Sequence, residues 1–154
     1  MDTLITRFNV RVYFLLQHPH MNSVLVADEI IRGKFYTKFP GGGLEFGEGI
    51  IDCAEREAIE ELGQEIEVLS HFYTTDFFMQ SAFNPGDQVI SVYYNARLKD
   101  AQAFTSHEKR FSFAQLEKNE EAFRWLALDE VDVNDFEFPA DKVVAGRLRN
   151  NGLT

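Results

Sequence analysis

The 154-residue sequence predicts an α+β domain built from a mixed β-sheet and two main helices. Three observations point there. Short β-branched and aromatic runs recur along the chain. At Gly49 the apolar spacing switches from near-alternation to a helical repeat. A second helical stretch follows Pro139. No internal repeat, low-complexity tract or linker interrupts the pattern, so residues 1–154 read as a single domain.

The elements follow in order. Residues 8–16 (FNVRVYFLL) read as a strand, residues 18–22 (HPHMN) as a turn, and Ser23 to Ala27 as a second strand. Phe35 to Phe39 is a short strand stopped by Pro40, and Gly41-Gly42-Gly43 reads as a loop. Ile51, Ala54, Ala58 and Leu62 recur at helical spacing, and Gly63 is suited to end that helix in a left-handed conformation. Ile66 to Phe72 and Val89 to Leu98 read as strands separated by the turn Asn84-Pro85-Gly86-Asp87. Residues 99–121 are polar and irregular, with Phe104, Phe111 and Phe113 as anchors. Phe123 to Leu128 is a late strand, and Pro139 to Arg149 a closing helix with proline in its first turn.

Composition narrows the function. Hydrophobic residues make up 45% and charged residues 26%, which suits a packed core and argues against disorder. The net charge of -10 disfavours nonspecific nucleic-acid binding and anionic membrane surfaces, both of which draw on Lys and Arg. No signal peptide is evident, and the apolar run Val12 to Leu16 is too short to span a bilayer. With the lone cysteine, Cys53, these features predict a cytoplasmic protein. The acidity is concentrated. Residues 45–67 carry nine acids and one base, and residues 129–141 carry six acids and no base. The second cluster reads as solvated surface before the last helix.

The first cluster lies in residues 40–64, PGGGLEFGEGIIDCAEREAIEELGQ. At about 100° per residue, Glu57, Glu60 and Glu61 share one helix face, with Ile51, Ala58 and Leu62 roughly opposite and Ala54 and Ile59 flanking. Three such anions repel one another, a cost that a hard divalent cation such as Mg²⁺ removes. Arg56, four residues before Glu60, can hold a carboxylate by charge-assisted hydrogen bonds and orient it. The glycines before the helix let backbone groups approach a metal or a phosphate closely.

This segment resembles the signature of the Nudix hydrolases, G-x5-E-x7-R-E-U-x-E-E-x-G-U, where U is a bulky aliphatic residue. Gly42, Glu48, Arg56, Glu57, Glu60, Glu61 and Gly63 fill the invariant-type positions. Ala58 is small for U and Gln64 is polar where an aliphatic is usual, departures that concern packing more than mechanism. The match covers 23 of the 154 residues. The resemblance implies an α/β/α sandwich with a mixed sheet and hydrolysis of a diphosphate bond in a nucleoside diphosphate linked to another moiety. That moiety leaves a nucleotide sugar, ADP-ribose, a dinucleotide or a nucleoside triphosphate open as substrate. It further implies Mg²⁺ or Mn²⁺ held by Glu57, Glu60, Glu61 and the Gly41 carbonyl, with Arg56 orienting the glutamates. Gly42 and Gly43 would border the substrate, with Glu48 in a supporting role. The resemblance leaves the general base open between a signature glutamate and one from a later loop, for which Glu120 and Glu121 are the candidates; solvated loop acids are the competing reading for those two. Homodimers occur in the family. The alternatives are a nucleotide-binding or sensor module without turnover, and a lesser mRNA-decapping role.

Outside the signature, Arg7, Arg11, Arg32, Lys34 and Lys38 could meet outer phosphates, although a solvated surface charge is the expectation for each. Phe35, Tyr36, Phe83 and Trp125 could stack on a ring, with core packing the better reading for Trp125. Cys53 reads as incidental, and His18, His20, His71 and His107 show no ligand spacing.

Overall fold

A computed structural model describes residues 3–100 and 121–153. The expectations for Phe104, His107, Phe111, Phe113 and Glu120 lie outside the described residues. The strands are β1 (Arg7–Gln17), β2 (Ser23–Ile31), β3 (Lys34–Lys38), β4 (Gly41–Gly43), β5 (Ile66–Thr74), β6 (Asp87–Leu98) and β7 (Glu121–Ala127). They form one sheet with a main path β3-β2-β1-β6-β5, β4 pairing with β1 and β7 with β2. The β1–β6 pair is parallel and the other named pairs are antiparallel, so the sheet is mixed as expected.

Alternation along β1 builds two cores. Val12, Phe14 and Leu16 point to one face, where Cys53, Ala54 and Ala58 of helix α1 (Ile50–Leu62) cover them. Tyr13 and Leu15 point to the other, with Tyr93 of β6 and with Val144 and Leu148 of helix α2 (Pro139–Asn151). The sheet is therefore sandwiched between two helices. No helix among the described residues is long and apolar enough to cross a membrane.

Three local readings are corrected. First, β2 runs on to Ile31 rather than ending at Ala27. The charged residue that follows, Asp28, stays inside the strand because Arg124 of β7 donates to it at 2.7 Å and Thr37 of β3 at 2.8 Å. Arg32 and Gly33, both at positive φ, then make the two-residue hairpin into β3. Second, Gly41–Gly43 is not a loop. It is a short strand whose three residues pair with Tyr13, Val12 and Arg11. Third, α1 packs through Cys53, Ala54 and Ala58, whereas Ile51 and Ile59 are exposed. Small side chains let the helix approach the sheet closely, and this turns Glu57 and Glu61 inward, beside the packed stripe rather than opposite it. Cys53 is thus a core residue, its thiol donating to the Gly43 carbonyl at 3.5 Å. The helix ends as expected, with Gly63 at φ 66°.

Candidate active site

The site begins with what glycine leaves out. Gly41 adopts φ 155°, and a Cβ there would collide with the Val12 carbonyl on β1. A Cβ on Gly42 would collide with the Glu57 carboxylate. Both positions therefore demand glycine, one for the strand pairing and one for the acid.

Arg56 organises the carboxylates. Its Nε and Nη2 grip Glu48 at 3.0 and 2.8 Å, a fork-on-fork pair. Nη1 donates to Glu57 at 2.9 Å and to Glu60 at 3.2 Å, and Nη2 also donates to the Gly43 carbonyl at 3.0 Å. Glu45 lies at 3.8 Å. One guanidinium thus ties the helix, the loop before it and β4 together. Arg56, with a further hydrogen bond from the Glu45 backbone N–H, holds the Glu48 carboxyl down at about 2. Glu60 remains largely exposed.

Glu61 lies on the inner side, where it accepts from the Gly41 N–H at 3.3 Å. Burial pushes its carboxyl up to about 8, helped by the charges of Glu121 and Glu57 and opposed by Lys38. Glu121 is not a loop acid: it opens β7 opposite Glu29. Its carboxyl is also raised, chiefly by burial, against the pull of Lys38. Lys38 Nζ pairs with Glu29 and lies 3.6 Å from Glu121. It is a linchpin of this acidic wall and not the free surface charge its sequence context suggests.

Beside the carboxylates, on the α2 side of the sheet, a cleft of about 370 Å³ opens. Asn9, Arg11 and Tyr13, alternating along β1, line it, with Tyr93 and Asp141 at its α2 side. Asp141 is the exception to the reading of residues 129–141 as solvated surface. It is 2% exposed and accepts from the Tyr93 hydroxyl at 2.6 Å, and burial lifts its carboxyl to about 7. Of the other five acids, Asp129 and Glu130 lie in a 3-10 turn (Leu128–Glu130), Asp135 in a second (Val133–Asp135) capped by Asp132, and Glu137 follows it; all but Asp135 are exposed, as the sequence predicts. At the rim, Tyr36 stacks on Phe138 at 5.2 Å, and Phe83 meets both rings edge-on at 6.0 Å. Trp125 is partly buried against the α1-side core and His18, as packing predicts. Arg7 is paired with Asp87. Phe35 is exposed on β3.

Sequence reasoning missed Asp141 and the Tyr13–Tyr93 stack at 4.9 Å. The available signal was the period-two pattern Asn9, Arg11, Tyr13, which puts three polar-tipped side chains on one face of a central strand.

The donor set fits a hard cation: carboxylate oxygens and a backbone carbonyl, with a carboxyl burdened by its neighbours' negative charge and a glycine that makes room for another. Among the described residues no three His, Cys, Asp or Glu side chains are already gathered as a ligand cluster.

Known structures share this arrangement of sheet and helices. A Nudix hydrolase from Nitrosomonas europaea is 18% identical, with a TM-score of 0.65 over 94% of this chain and 71% of that one. A MutT Nudix hydrolase from Burkholderia pseudomallei is 19% identical, with a TM-score of 0.65 over 93% of this chain and 99% of that one. A MutT structure from work on Aliivibrio salmonicida and Vibrio cholerae is 18% identical, with a TM-score of 0.57 over 92% and 97%. At such identities the likeness establishes the fold. The family model for the NUDIX domain matches residues 6–146, and the chain therefore belongs to the Nudix family of hydrolases, which act on pyrophosphate bonds.

Proposed function

We propose that the chain is a Mg²⁺- or Mn²⁺-dependent hydrolase that cleaves the diphosphate bond of a nucleoside diphosphate linked to a second group. Nucleoside triphosphates, nucleotide sugars, ADP-ribose and dinucleotides all have the required bond. The observation that carries this reading is Arg56 holding Glu48, Glu57 and Glu60 against the β4 glycines. Glu57, Glu60, Glu61 and the Gly41 carbonyl are the groups that would hold the cation. When bound, such a cation neutralises charge on the phosphates and lowers the pKa of water.

The chain's own residues do the remaining work. Arg56 fixes the direction of Glu57 and Glu60, and Glu48 fixes Arg56. Gly42 makes room for the Glu57 carboxylate, and Gly43 leaves Arg11 room beside β4. Glu121, whose charge acts on Glu61 and whose own carboxyl is raised by burial, is the later-strand candidate for the base that accepts the proton of the attacking water, with the signature glutamates as the alternative. Water oxygen bonds to one phosphorus, the bridging P–O bond breaks, and the second phosphate leaves. The nucleoside side of the substrate lies in the cleft, with the base at the Tyr36, Phe83 and Phe138 rim.

The test is a panel of those four substrate classes, with purified protein, with and without Mg²⁺. Mg²⁺-dependent release of a nucleotide supports the proposal. Nucleotide binding with no product at high enzyme concentration supports a sensor module instead.

A further inference from the structure

Arg11 sits where the cleft meets the carboxylates. It projects from the middle of β1 opposite Gly43, and a Cβ on Gly43 would stand 3.6 Å from its Nη1. Its Nε donates to the Tyr13 hydroxyl at 3.2 Å, and its guanidinium carbon lies 6.0 Å from the Tyr13 ring centre. These contacts orient the guanidinium and, among the described residues, leave both Nη groups without an acceptor. The side chain is half-buried, which disfavours its charge, yet the hydroxyl of Tyr13 and the carboxylates of Glu57 and Glu61 more than compensate. Asp141 feels its charge as well. None of these acids forms an ion pair with it, and no carboxylate among the described residues does.

The other cations nearby are already occupied. Lys38 is taken by Glu29 and Glu121, and Arg56 by Glu48, Glu57 and Glu60. A half-buried guanidinium whose Nη groups meet no acceptor among the described residues gains strongly from an anion that reaches it. Its planar fork matches two oxygens of a phosphate. The carboxylates around it cannot supply that anion, because β4 and Arg56 hold Glu57 and Glu61 elsewhere.

Building on the nucleotide reading above, we propose that Arg11 clamps the phosphate attached to the nucleoside, its Nη groups taking two non-bridging oxygens at the mouth of the cleft. This grip needs no cation. It separates the phosphate next to the nucleoside, which Arg11 holds, from the far phosphate, which faces the carboxylates. The chain should therefore retain a nucleoside monophosphate product and distinguish it from the bare nucleoside.

Calorimetry in EDTA tests this with AMP, GMP, CMP and UMP, each against its own nucleoside. The wild-type protein should bind at least one monophosphate at least about tenfold more tightly than its nucleoside, the step expected from a charged hydrogen-bonding pair. Arg11→Gln should abolish that preference while nucleoside affinity stays within about threefold, and Arg11→Lys should retain an intermediate preference. In turnover, Arg11→Gln should raise KM more than it lowers kcat. Equal weakening of nucleoside and monophosphate, an unchanged preference in Arg11→Gln, or no preference in the wild type overturns the proposal. Unaltered thermal unfolding of Arg11→Lys controls for folding. The hydrolase reading fails separately, through absence of product from the wild type in Mg²⁺.

Discussion

The carboxylate of Glu57 fills the space that a Cβ on Gly42 would occupy. An acid on α1 and a bare backbone on β4 are thus fitted to each other. Any side chain at position 42 must displace the acid or the strand. Gly42→Ala should lower kcat/KM about a hundredfold, the scale of loss for a roughly 1 Å misplacement of a reacting group. Steady-state kinetics beside thermal unfolding checks this. A folded variant within about threefold of wild type would show that the fit has no catalytic meaning.

Arg56 carries a prediction with a pH signature. The Glu48 carboxyl lies below its ordinary value, so the stability it contributes is present above about 4.5 and is lost as pH falls through about 2. Arg56→Ala should lift the Glu48 carboxyl toward the ordinary range and remove that acid-limb dependence. NMR titration of the Glu48 side chain reads this directly. Arg56→Lys should recover little, because an ammonium cannot reproduce the two-pronged grip.

Asp141 gives the opposite sign. Its carboxyl is raised from 3.8 to about 7, so the folded state binds a proton in that window that the unfolded chain does not. Its contribution to stability should therefore decline as pH rises from about 4 to about 7. Asp141→Asn should flatten that decline, measured by urea unfolding across the pH range without metal. An unchanged slope would mean that Asp141 does not hold this proton.

Much of this arrangement was legible in the sequence for identifiable reasons. Helix α1 announced itself through spacing and through Gly63, and the signature placed Arg56 and its glutamates together. The strand nature of Gly41–Gly43 was hidden, since three glycines carry no strand propensity and pair only because β1 offers an open edge. The packed face of α1 was hidden because Cys53 and Ala54 are small, and their value lies in closeness of approach rather than in apolar area. Asp141 was hidden among five other acids, since burial by a distant Tyr93 leaves no local mark. Lys38 and Glu121 meet only through strand pairing across β2.

Glu61 joins the cation to stability. Mg²⁺ that binds the folded state alone should stabilise the wild type by about 2.7 kcal/mol at a hundredfold excess over its Kd. Glu61→Gln should lose most of that gain in thermal unfolding and at least about a hundredfold in kcat. Equal Mg²⁺ stabilisation of both proteins would remove Glu61 from the cation site.

The most direct test of the whole account is phosphorus NMR of the purified wild-type protein with the nucleotide panel, before and after adding Mg²⁺. For at least one member, a diphosphate resonance should be replaced by a nucleoside monophosphate resonance only once Mg²⁺ is present. Diphosphate resonances that persist for every member at high enzyme concentration with Mg²⁺ would contradict it.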